Sequence, residues 1–472
     1  MQFAEAIKNQ EARTENGMKA RKSTANACVD LFFKIGASRG KNILPEFTAA
    51  YVENRDLALR IAQWARDVRG GSGERELFRQ ILKHLEVKHP EDAVLLMKKV
   101  PEIGRFDDLL IFTDPKVKWE AYNLLGNYLR EGNGLAAKWT PRKGEIAREI
   151  REMFGMTPKQ YRKTLVNMTS VVESQMCAQD WDNINYSHVP SLAHARYKKA
   201  FGRHGTTYAE YVTKLVKGEA GVKINAGAVF PYDVLKGRIS AWERRQLSKT
   251  ELDAIQAQWD ALPNYIGDAN VLPMVDSSGS MTCPAGGRNS KSNMTCLEVA
   301  ISLGLYFADK NKGKFADCFL TFSNQPKLVN LKGDINQKID QMNTGEVANT
   351  NLHAAFNLIL KTAVDNKVAQ AEMPETLVIF SDMQFDVCVK HDDSAMQMIE
   401  RKYKAAGYEL PKVVFWNLNA HDNAPVKFDK SGTALVSGFS PAIAKSILSG
   451  DADNFTPEAI MLKTVMVDRY AV

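Results

Sequence analysis

The segment Val271–Met281 constrains this chain more than any other part of the sequence. It begins with an apolar run that predicts a buried strand, and this strand ends at Asp276. Ser278 and Ser280 follow at alternate positions, and Gly279 between them gives the backbone freedom to curl. A carboxylate and two hydroxyls at the end of a strand suit a hard divalent cation such as Mg²⁺, which prefers oxygen ligands. Because Asp-x-Ser-x-Ser is a short pattern, it predicts a metal site only if other segments supply further oxygens.

Two later segments supply such oxygens. The apolar run Thr376–Phe380 predicts a second buried strand, and Ser381 and Asp382 follow it directly. Between the two strands, Thr350 lies in a polar turn at the start of a predicted helix. Ligands of parallel sheets gather at the carboxyl ends of the strands, so we expect Asp276, Thr350 and Asp382 to lie close together. Each residue taken alone has a second interpretation, because Ser, Thr and Asp are also common turn-formers and helix caps.

The sequence after residue 262 alternates between short strands and helices. This alternation predicts a mostly parallel sheet covered by helices on both faces, which is a doubly wound, Rossmann-like α/β domain. Besides the two strands already named, the predicted strands are Ala316–Phe322, Lys412–Asn417 and Ala434–Phe439, and the predicted helices are Cys296–Lys310, Asn351–Ala363, Ala395–Ala406 and Pro441–Leu448.

Helical periodicity dominates the sequence before residue 262. Leu57, Ile61, Trp64 and Val68 recur at helical spacing, and the glycine-rich turn Gly70–Gly73 ends that helix. Further short helices with short polar breaks predict an α-solenoid of antiparallel helix pairs. We therefore expect three regions, namely a flexible N-terminal arm (1–25), an α-helical repeat domain (26–262) and the α/β domain (263–472).

Charge is unevenly distributed along the chain. Residues 1–262 contain 42 Lys and Arg against 32 Asp and Glu, whereas the remainder contains 20 against 23. This asymmetry indicates that the N-terminal part meets a polyanion, although a solvated basic surface without a partner is the alternative. Two cationic clusters lie beside aromatic residues, a combination suited to irregular or single-stranded RNA. The candidate RNA-binding residues are Lys138, Arg142 and Lys143 beside Trp139, and Arg196, Lys198, Lys199 and Arg203 beside Tyr197.

Cysteine usage and hydropathy indicate a cytoplasmic protein. The six cysteines are far apart and form no CxxC pair, which argues against a zinc site or a disulfide framework. The sequence has no apolar run long enough to cross a membrane, and its N-terminus lacks the apolar core of a signal peptide. We expect no membrane partner, and a virion-associated location only if the protein is encoded by a phage.

The oxygen-bearing residues resemble a known metal site. Asp276, Ser278, Ser280, Thr350 and Asp382 are similar, in order and in context, to the metal-ion-dependent adhesion site of von Willebrand factor A domains. The resemblance implies that these side chains bind Mg²⁺, with Ca²⁺ or Mn²⁺ as alternatives. It also implies that the ion accepts an acidic ligand from a protein partner.

Other segments of the sequence resemble the TROVE family. Arg66–Phe78 and Gly104–Leu110 are similar to the helical-repeat domain of TROVE proteins, the family of the Ro 60 kDa ribonucleoprotein autoantigen. A closer resemblance, over about residues 15–450, is to an uncharacterised family of plant, fungal and phage proteins with the same architecture. The segments on which this closer resemblance rests are Ala137–Pro141, Tyr161–Leu165, Trp181–Tyr186, Phe380–Asp386 and Phe415–Leu418.

The TROVE resemblance implies a HEAT-like helical domain, ring-shaped in Ro proteins, joined to a von Willebrand factor A domain. In Ro proteins the ring binds misfolded small RNAs and its basic outer surface binds structured Y RNA, so the implied partner is a small non-coding RNA. The charged residues of Arg66–Phe78 and of Gly104–Leu110 predict an ion-pair network within the protein rather than an RNA contact, because opposite charges recur there at helical spacing.

The sequence contains no recognisable catalytic motif. It has no phosphate-binding GxxxxGK[ST] loop, no HExxH and no GxSxG, and no histidine is spaced to serve a nucleophile. We therefore predict a non-catalytic, Ro-like RNA-binding protein with a divalent cation in its α/β domain. The alternative is a phage or virion-associated structural module that uses the metal site for adhesion. A metal-dependent nuclease is a third interpretation, but the sequence identifies neither a general base nor a substrate pocket for it. The oligomeric state stays open.

Overall fold

The computed structural model describes residues 11–14, 19–239, 246–285, 294–322, 325–342, 351–385, 395–419, 424–449 and 454–472. Helices occupy the described chain from residue 27 to residue 260, and a six-stranded sheet with flanking helices follows. The predicted order, α-helical first and α/β second, is therefore confirmed. Within the described residues, no helix combines the length and the apolar character needed to span a bilayer.

The helices of the first half are short, and the early ones pack against their neighbours in sequence. Side-chain caps define several of their starts: the carboxamide oxygen of Asn26 accepts from the backbone of Val29, and that of Asn54 accepts from Leu57. The repeat type and a ring shape stay predictions. The helices are α1 Ala27–Ile35, α2 Leu44–Glu53, α3 Arg55–Arg66, α4 Arg75–Lys88, α5 Pro90–Met97, α6 Val100–Ile103, α7 Pro115–Arg130, α8 Gly134–Trp139, α9 Glu145–Met153, α10 Pro158–Met168, α11 Val172–Cys177, α12 Ser191–His204, α13 Thr206–Val216, α14 Pro231–Ile239 and α15 Lys249–Asp260.

The second half is built on a six-stranded sheet. After the ribbon strands β1 (Glu11–Arg13) and β2 (Lys19–Arg21), its strands are β3 Val271–Asp276, β4 Cys318–Phe322, β5 Leu328–Asn330, β6 Thr376–Ser381, β7 Lys412–Asn417 and β8 Thr433–Ser437. Their spatial order is β5-β4-β3-β6-β7-β8, and all pairs are parallel except β4 with β5. This is the doubly wound order, in which the direction of winding reverses between β3 and β6. The edge strand β5 was not predicted, because it is short and largely exposed.

Helices cover the sheet, and the four predicted ones are present with limits that differ by at most a few residues. Ile335–Met342 and Pro457–Val465 are not among the predicted helices. The helices are α16 Cys296–Lys310, α17 Ile335–Met342, α18 Leu352–Asp365, α19 Ala395–Ala405, α20 Ala444–Leu448 and α21 Pro457–Val465. Helix α16 is buried along most of its length, which agrees with its position against β3, β4 and β6. The sheet core is aromatic, with the rings of Phe307, Phe380 and Trp416 in mutual contact.

The N-terminal segment is attached to the second half. Residues 11–13 and 19–21 pair as a two-stranded antiparallel ribbon, and the backbone of Arg21 exchanges two hydrogen bonds with that of Ala424. The hydroxyl of Thr14 donates to the carbonyl of Phe385 at 2.6 Å, and Thr24 is fully buried. The described part of the segment predicted to be a flexible arm is therefore held in place by specific hydrogen bonds.

The two halves share one hydrophobic core. Helix α1 packs against β8, where the hydroxyl of Ser437 donates to the carbonyl of Phe32 at 3.1 Å and accepts from the backbone of Gly36 at 3.0 Å. A Cβ at position 36 would lie 2.6 Å from the carbonyl oxygen of Ser437, so this close approach requires glycine. The first predicted domain thus contributes a helix to the packing of the second.

The predicted ion-pair network is confirmed in the first half. The guanidinium of Arg66 lies 2.8 Å from the carboxylate of Asp108, which also accepts from Arg79 at 2.7 Å, and Arg105 pairs with Asp107. Asp108 is fully buried, so both of its partners compensate a charge that would otherwise lose its hydration. These residues hold the turns between helices together.

Candidate functional site

Two buried carboxyl groups lie at the carboxyl ends of neighbouring strands. Strands β3 and β6 pair in register from Val271 opposite Thr376 to Val275 opposite Phe380, which places Asp276 beside Ser381. Asp382 is the next residue, and it is 1% exposed while Asp276 is fully buried. The two residues lie where the strand order reverses, which is the usual position of ligand sites in such sheets.

The turn after β3 places two hydroxyl groups beside Asp276. Oδ1 of Asp276 accepts a 2.9 Å hydrogen bond from the backbone of Ser278, and a short 3₁₀ turn, Gly279–Thr282, follows. The hydroxyls of Ser278 and Ser280 are 3.0 Å apart. Met281, fully buried, anchors this turn in the core. The Asp-x-Ser-x-Ser pattern therefore presents three oxygen-bearing side chains on one turn.

The segment after β6 is shaped by a residue in an unusual conformation. Met383 has a φ of +65°, which is uncommon for a residue with a side chain, and its backbone N–H donates to the hydroxyl of Ser381 at 3.0 Å. The carboxylate of Asp382 accepts from the backbone of Gln384 at 3.2 Å. Local strain of this kind is concentrated at functional sites, where the surrounding structure compensates it.

Burial and charge both act on Asp276. The pKa of Asp276 is raised from its ordinary value of 3.8 to about 7. Burial is the largest cause, and the negative charge of Asp382 is the second. Hydrogen bonds from Ser381 and Ser278 oppose this rise in the pKa. Two carboxylates that repel each other inside a protein, with hydroxyls beside them, form a donor set that fits a hard divalent cation.

The remaining predicted ligand, Thr350, lies outside the described residues. The next residue, Asn351, caps helix α18 by accepting from the backbone of Ala354 at 2.9 Å. In the described ranges, no group of three or more His, Cys, Asp or Glu side chains is placed to hold a metal ion. The candidate therefore depends on serine hydroxyls in addition to its two carboxylates, and the ligand set stays a prediction.

The sequence pattern does not identify Ser381 as a residue of this site. Its hydroxyl donates to Oδ2 of Asp276 at 2.6 Å, and both residues are fully buried. The available signal was its position directly after an apolar strand, which places its side chain at the same sheet edge as Asp276. Its contact with Asp276 depends on the pairing of β3 with β6, and the sequence does not specify which strands are neighbours.

The predicted cationic clusters lie mostly on the surface. Arg142, Lys143, Arg196, Lys199 and Arg203 are all exposed. The two clusters are neighbours in space, because the carboxylate of Glu173 accepts from both Lys138 at 3.0 Å and the hydroxyl of Tyr197 at 3.4 Å. This contact joins segments that are more than fifty residues apart in the sequence.

Lys198 is a correction to the predicted set. It is 5% exposed, and its ammonium donates to the carbonyl of Val234 in α14 at 2.8 Å, because α12 turns this position toward α14. A buried ammonium in this position cannot reach an RNA phosphate. One face of the Trp139 ring is covered by Arg105, because the guanidinium carbon of Arg105 lies 3.6 Å from the centre of the ring system. This face is therefore not open to a base.

Comparisons with known proteins match both halves of the chain. Residues 14–104 and 133–272 match a family described as Domain of unknown function (DUF2828), and residues 270–468 match Domain of unknown function (DUF7788). An uncharacterized protein, L728, of Acanthamoeba polyphaga mimivirus is 29% identical over 514 aligned positions, covering 95% of this chain and 86% of that protein. The crystal structure of the Deinococcus radiodurans RO (RSR) protein aligns with a TM-score of 0.40 and 14% identity, over 93% of this chain and 90% of that one.

Proposed function

We propose that the α/β domain binds a divalent cation, Mg²⁺ with Ca²⁺ or Mn²⁺ as alternatives, at the adjoining ends of β3 and β6. The ligands would be Asp276, Ser278, Ser280 and Asp382, with Thr350 as the fifth, as in the von Willebrand factor A domains that the sequence resembles. The observation that carries this proposal is the pair of buried carboxyl groups at the point where the strand order reverses. Their mutual repulsion favours a bound cation.

The proposed role of the cation is to dock a protein partner. A site of two carboxylates and several hydroxyls neutralises the ion's charge while leaving coordination positions for water or for a partner's carboxylate. We propose a non-catalytic role, because the sequence provides no motif that pairs a nucleophile with a base. The chain's own contribution is to hold the Asp276 carboxylate, through Ser278 and Ser381, in a fixed orientation.

Calorimetric titration with MgCl₂ and MnCl₂ tests the cation site. The unmodified protein should bind one cation, and Asp276→Asn and Asp382→Asn should each weaken binding at least about 100-fold, because each removes a charged ligand. Ser277→Ala, which lies within the same turn but is not a proposed ligand, should bind as the unmodified protein does. Circular dichroism would establish that the variants are folded. Unchanged affinity in both Asn variants would show that the ligand assignment is wrong.

For the helical half, we propose binding to small structured RNA through the exposed cations of the two clusters. The proposal is supported by the excess of Lys and Arg in residues 1–262 and by the link through Glu173, which makes the clusters one surface. Tyr197 is half-buried within this surface. An RNA-binding surface usually combines cationic side chains, which contact phosphates, with an aromatic ring, on which an unpaired base stacks.

Fluorescence anisotropy with a labelled RNA hairpin that carries a single-stranded 3′ end, measured at several salt concentrations, tests RNA binding. Affinity should fall as salt rises, because phosphate contacts release counterions. The charge reversals Arg142→Glu with Lys143→Glu, and Arg196→Glu with Lys199→Glu, should each weaken binding about tenfold or more and reduce the salt dependence. Reversal of the exposed Lys249 and Lys361, which belong to neither cluster, is the control.

Two results would count against RNA binding by this surface. Absent or salt-insensitive binding would contradict the proposal directly. Equal losses in the control and in the two cluster variants would indicate a general charge effect rather than a defined surface. If the protein co-purifies with virus particles and carries no bound RNA, this result would favour the alternative of a virion-associated interaction module.

A further inference from the structure

Two cysteines lie close together beside the candidate cation site. The sulfur atoms of Cys283 and Cys296 are 3.7 Å apart, and the backbone N–H of Cys296 donates to the carbonyl of Cys283 at 3.0 Å. Pro284 and Thr295 form an antiparallel bridge next to them, so the two backbone segments run side by side. A disulfide requires a sulfur separation of about 2 Å, and adjacent antiparallel segments bring the side chains near enough for small rotations to close the gap.

The pair connects two elements of the α/β domain. Cys283 directly follows the turn Gly279–Thr282, which carries Ser280, and Cys296 is the first residue of α16. The start of α16 is fixed by a capping box, in which Thr295 accepts from the backbone of Glu298 and Glu298 accepts from that of Thr295. A bond between the sulfurs would tie the turn to a rigid, buried helix.

We propose that Cys283 and Cys296 form a reversible disulfide, by exchange with a low-molecular-weight disulfide, that locks the Ser280 turn to the start of α16. Nothing in the cation-binding or RNA-binding proposals is needed for this bond. Their failure would leave it unaffected, because it rests on the separation and environment of the two sulfurs alone.

The environments of the two thiols assign them different roles. Cys283 is half-buried and accepts a 3.4 Å hydrogen bond from the carboxamide of Asn419, whereas Cys296 is fully buried. The hydrogen bond with Cys296 is the main cause that lowers the pKa of the Cys283 thiol, while the same contact and burial raise the pKa of Cys296. Cys283 is therefore the thiol that reacts first, and Cys296 is the resolving thiol.

The exchange balances in two steps with oxidised glutathione as the small disulfide. The Cys283 thiolate attacks one sulfur of oxidised glutathione, the bond between the glutathione sulfurs breaks, and one glutathione thiolate leaves and is protonated by solvent. Cys296 then loses its proton to solvent and attacks the Cys283 sulfur of the mixed disulfide, which releases the second glutathione. The protein loses two hydrogens, and oxidised glutathione becomes two reduced molecules.

The test uses the full chain in buffers of increasing ratio of oxidised to reduced glutathione, followed by acid quenching, alkylation under denaturing conditions and peptide mass spectrometry. We expect a linked peptide that contains Cys283 and Cys296, accompanied by the loss of two alkylated thiols. Cys177→Ser, which removes an exposed cysteine far from the pair in sequence, should form the same link. In Cys296→Ser the mixed disulfide on Cys283 should accumulate, because the resolving thiol is gone.

Three results would overturn the proposal. The first is that both thiols remain fully alkylated at glutathione ratios that glutathionylate Cys177. The second is that Cys283 forms no mixed disulfide in Cys296→Ser. The third is that either thiol links to Cys388, which lies outside the described residues, instead of to its proposed partner. A link between Cys296 and Cys388 would persist in Cys283→Ser, and a link between Cys283 and Cys388 would persist in Cys296→Ser, so the two variants identify the last result.

Discussion

The hydroxyl of Ser381 donates a 2.6 Å hydrogen bond to Oδ2 of Asp276, across the neighbouring strands β6 and β3. The other carboxylate oxygen of Asp276 accepts from the backbone of Ser278. Both oxygens are therefore oriented by the protein itself. This arrangement exists only because β3 and β6, which are separated by about a hundred residues, pair in register at the point where the sheet changes its direction of winding.

Ser381→Ala should weaken cation binding and lower stability. The change leaves Oδ2 of Asp276 without its donor in a buried position, so we expect a loss of about 1–2 kcal/mol in the free energy of unfolding. The affinity for Mg²⁺ should fall about tenfold, because a group that orients a ligand is removed. Urea denaturation and calorimetric titration measure the two effects, with Ser277→Ala as the control. Equal behaviour of the two variants would contradict the proposed role of Ser381.

Stability and cation affinity should depend on pH through Asp276. Its pKa is raised from 3.8 to about 7, so the folded state favours the protonated form. The resulting stabilisation is complete below about pH 4 and is lost as pH rises through 7, at up to about 1.4 kcal/mol per pH unit. Since the proton competes with the cation, Mg²⁺ affinity should rise up to about tenfold per unit toward pH 7 and then level off.

Thermal unfolding at pH 5, 6, 7 and 8, with and without Mg²⁺, measures this dependence. The stabilisation by Mg²⁺ should be smallest at pH 5 and largest at pH 8. Asp276→Asn carries no titrating group at this position, so it should show neither the metal effect nor this component of the pH dependence. The same pH profile in Asp276→Asn and in the unmodified protein would show that another group is responsible.

Asp67→Ala should destabilise the whole chain by about 3 kcal/mol, because it leaves the buried hydroxyl of Tyr470 and the half-buried guanidinium of Arg469 without their shared acceptor. Asp67 is fully buried and accepts hydrogen bonds from the hydroxyl of Tyr470 at 3.0 Å and from Arg469 at 3.1 Å, so it joins the end of α3 to the C-terminal segment. Urea denaturation measures the loss, and Asp468→Ala, an exposed neighbour of the same partners, should change stability by less than about 0.5 kcal/mol. Similar effects of the two substitutions would contradict the structural role of Asp67.

Gly71→Ala should be strongly destabilising, whereas Gly202→Ala should not. A Cβ at position 71 would lie 1.8 Å from the backbone oxygen of Trp64, which cannot move away without distorting α3. Position 202 is within helix α12, and an added Cβ there would meet nothing within 4 Å beyond its chain neighbours and the helix's own backbone. Alanine there should therefore stabilise by about 0.5–1 kcal/mol through its helix propensity. Melting temperatures of the two variants compare these effects, and a tolerated Gly71→Ala would disprove the packing of this turn.

The cysteine pair is a contact that spacing along the chain does not predict. Wide spacing and the lack of a CxxC pattern argued against disulfides, yet Cys283 and Cys296 are brought together by the bridge between Pro284 and Thr295. Lys198 is a second example, because the sequence of α12 does not specify which of its lysines faces α14. Both outcomes depend on contacts between segments, and spacing along the chain carries no information about them.

The sequence by itself indicated the classes of structure and the two carboxyl groups of the candidate site. Apolar runs that end in Asp276 and in Ser381–Asp382 specify two strands and their polar ends, because hydrophobic periodicity is a local property. Only the tertiary structure decided that β3 and β6 are neighbours, that α1 belongs to the packing of β8, and that Ser381 orients Asp276. The physical reason is that strand order and helix docking depend on the burial of surfaces far apart in the chain, which local patterns do not encode.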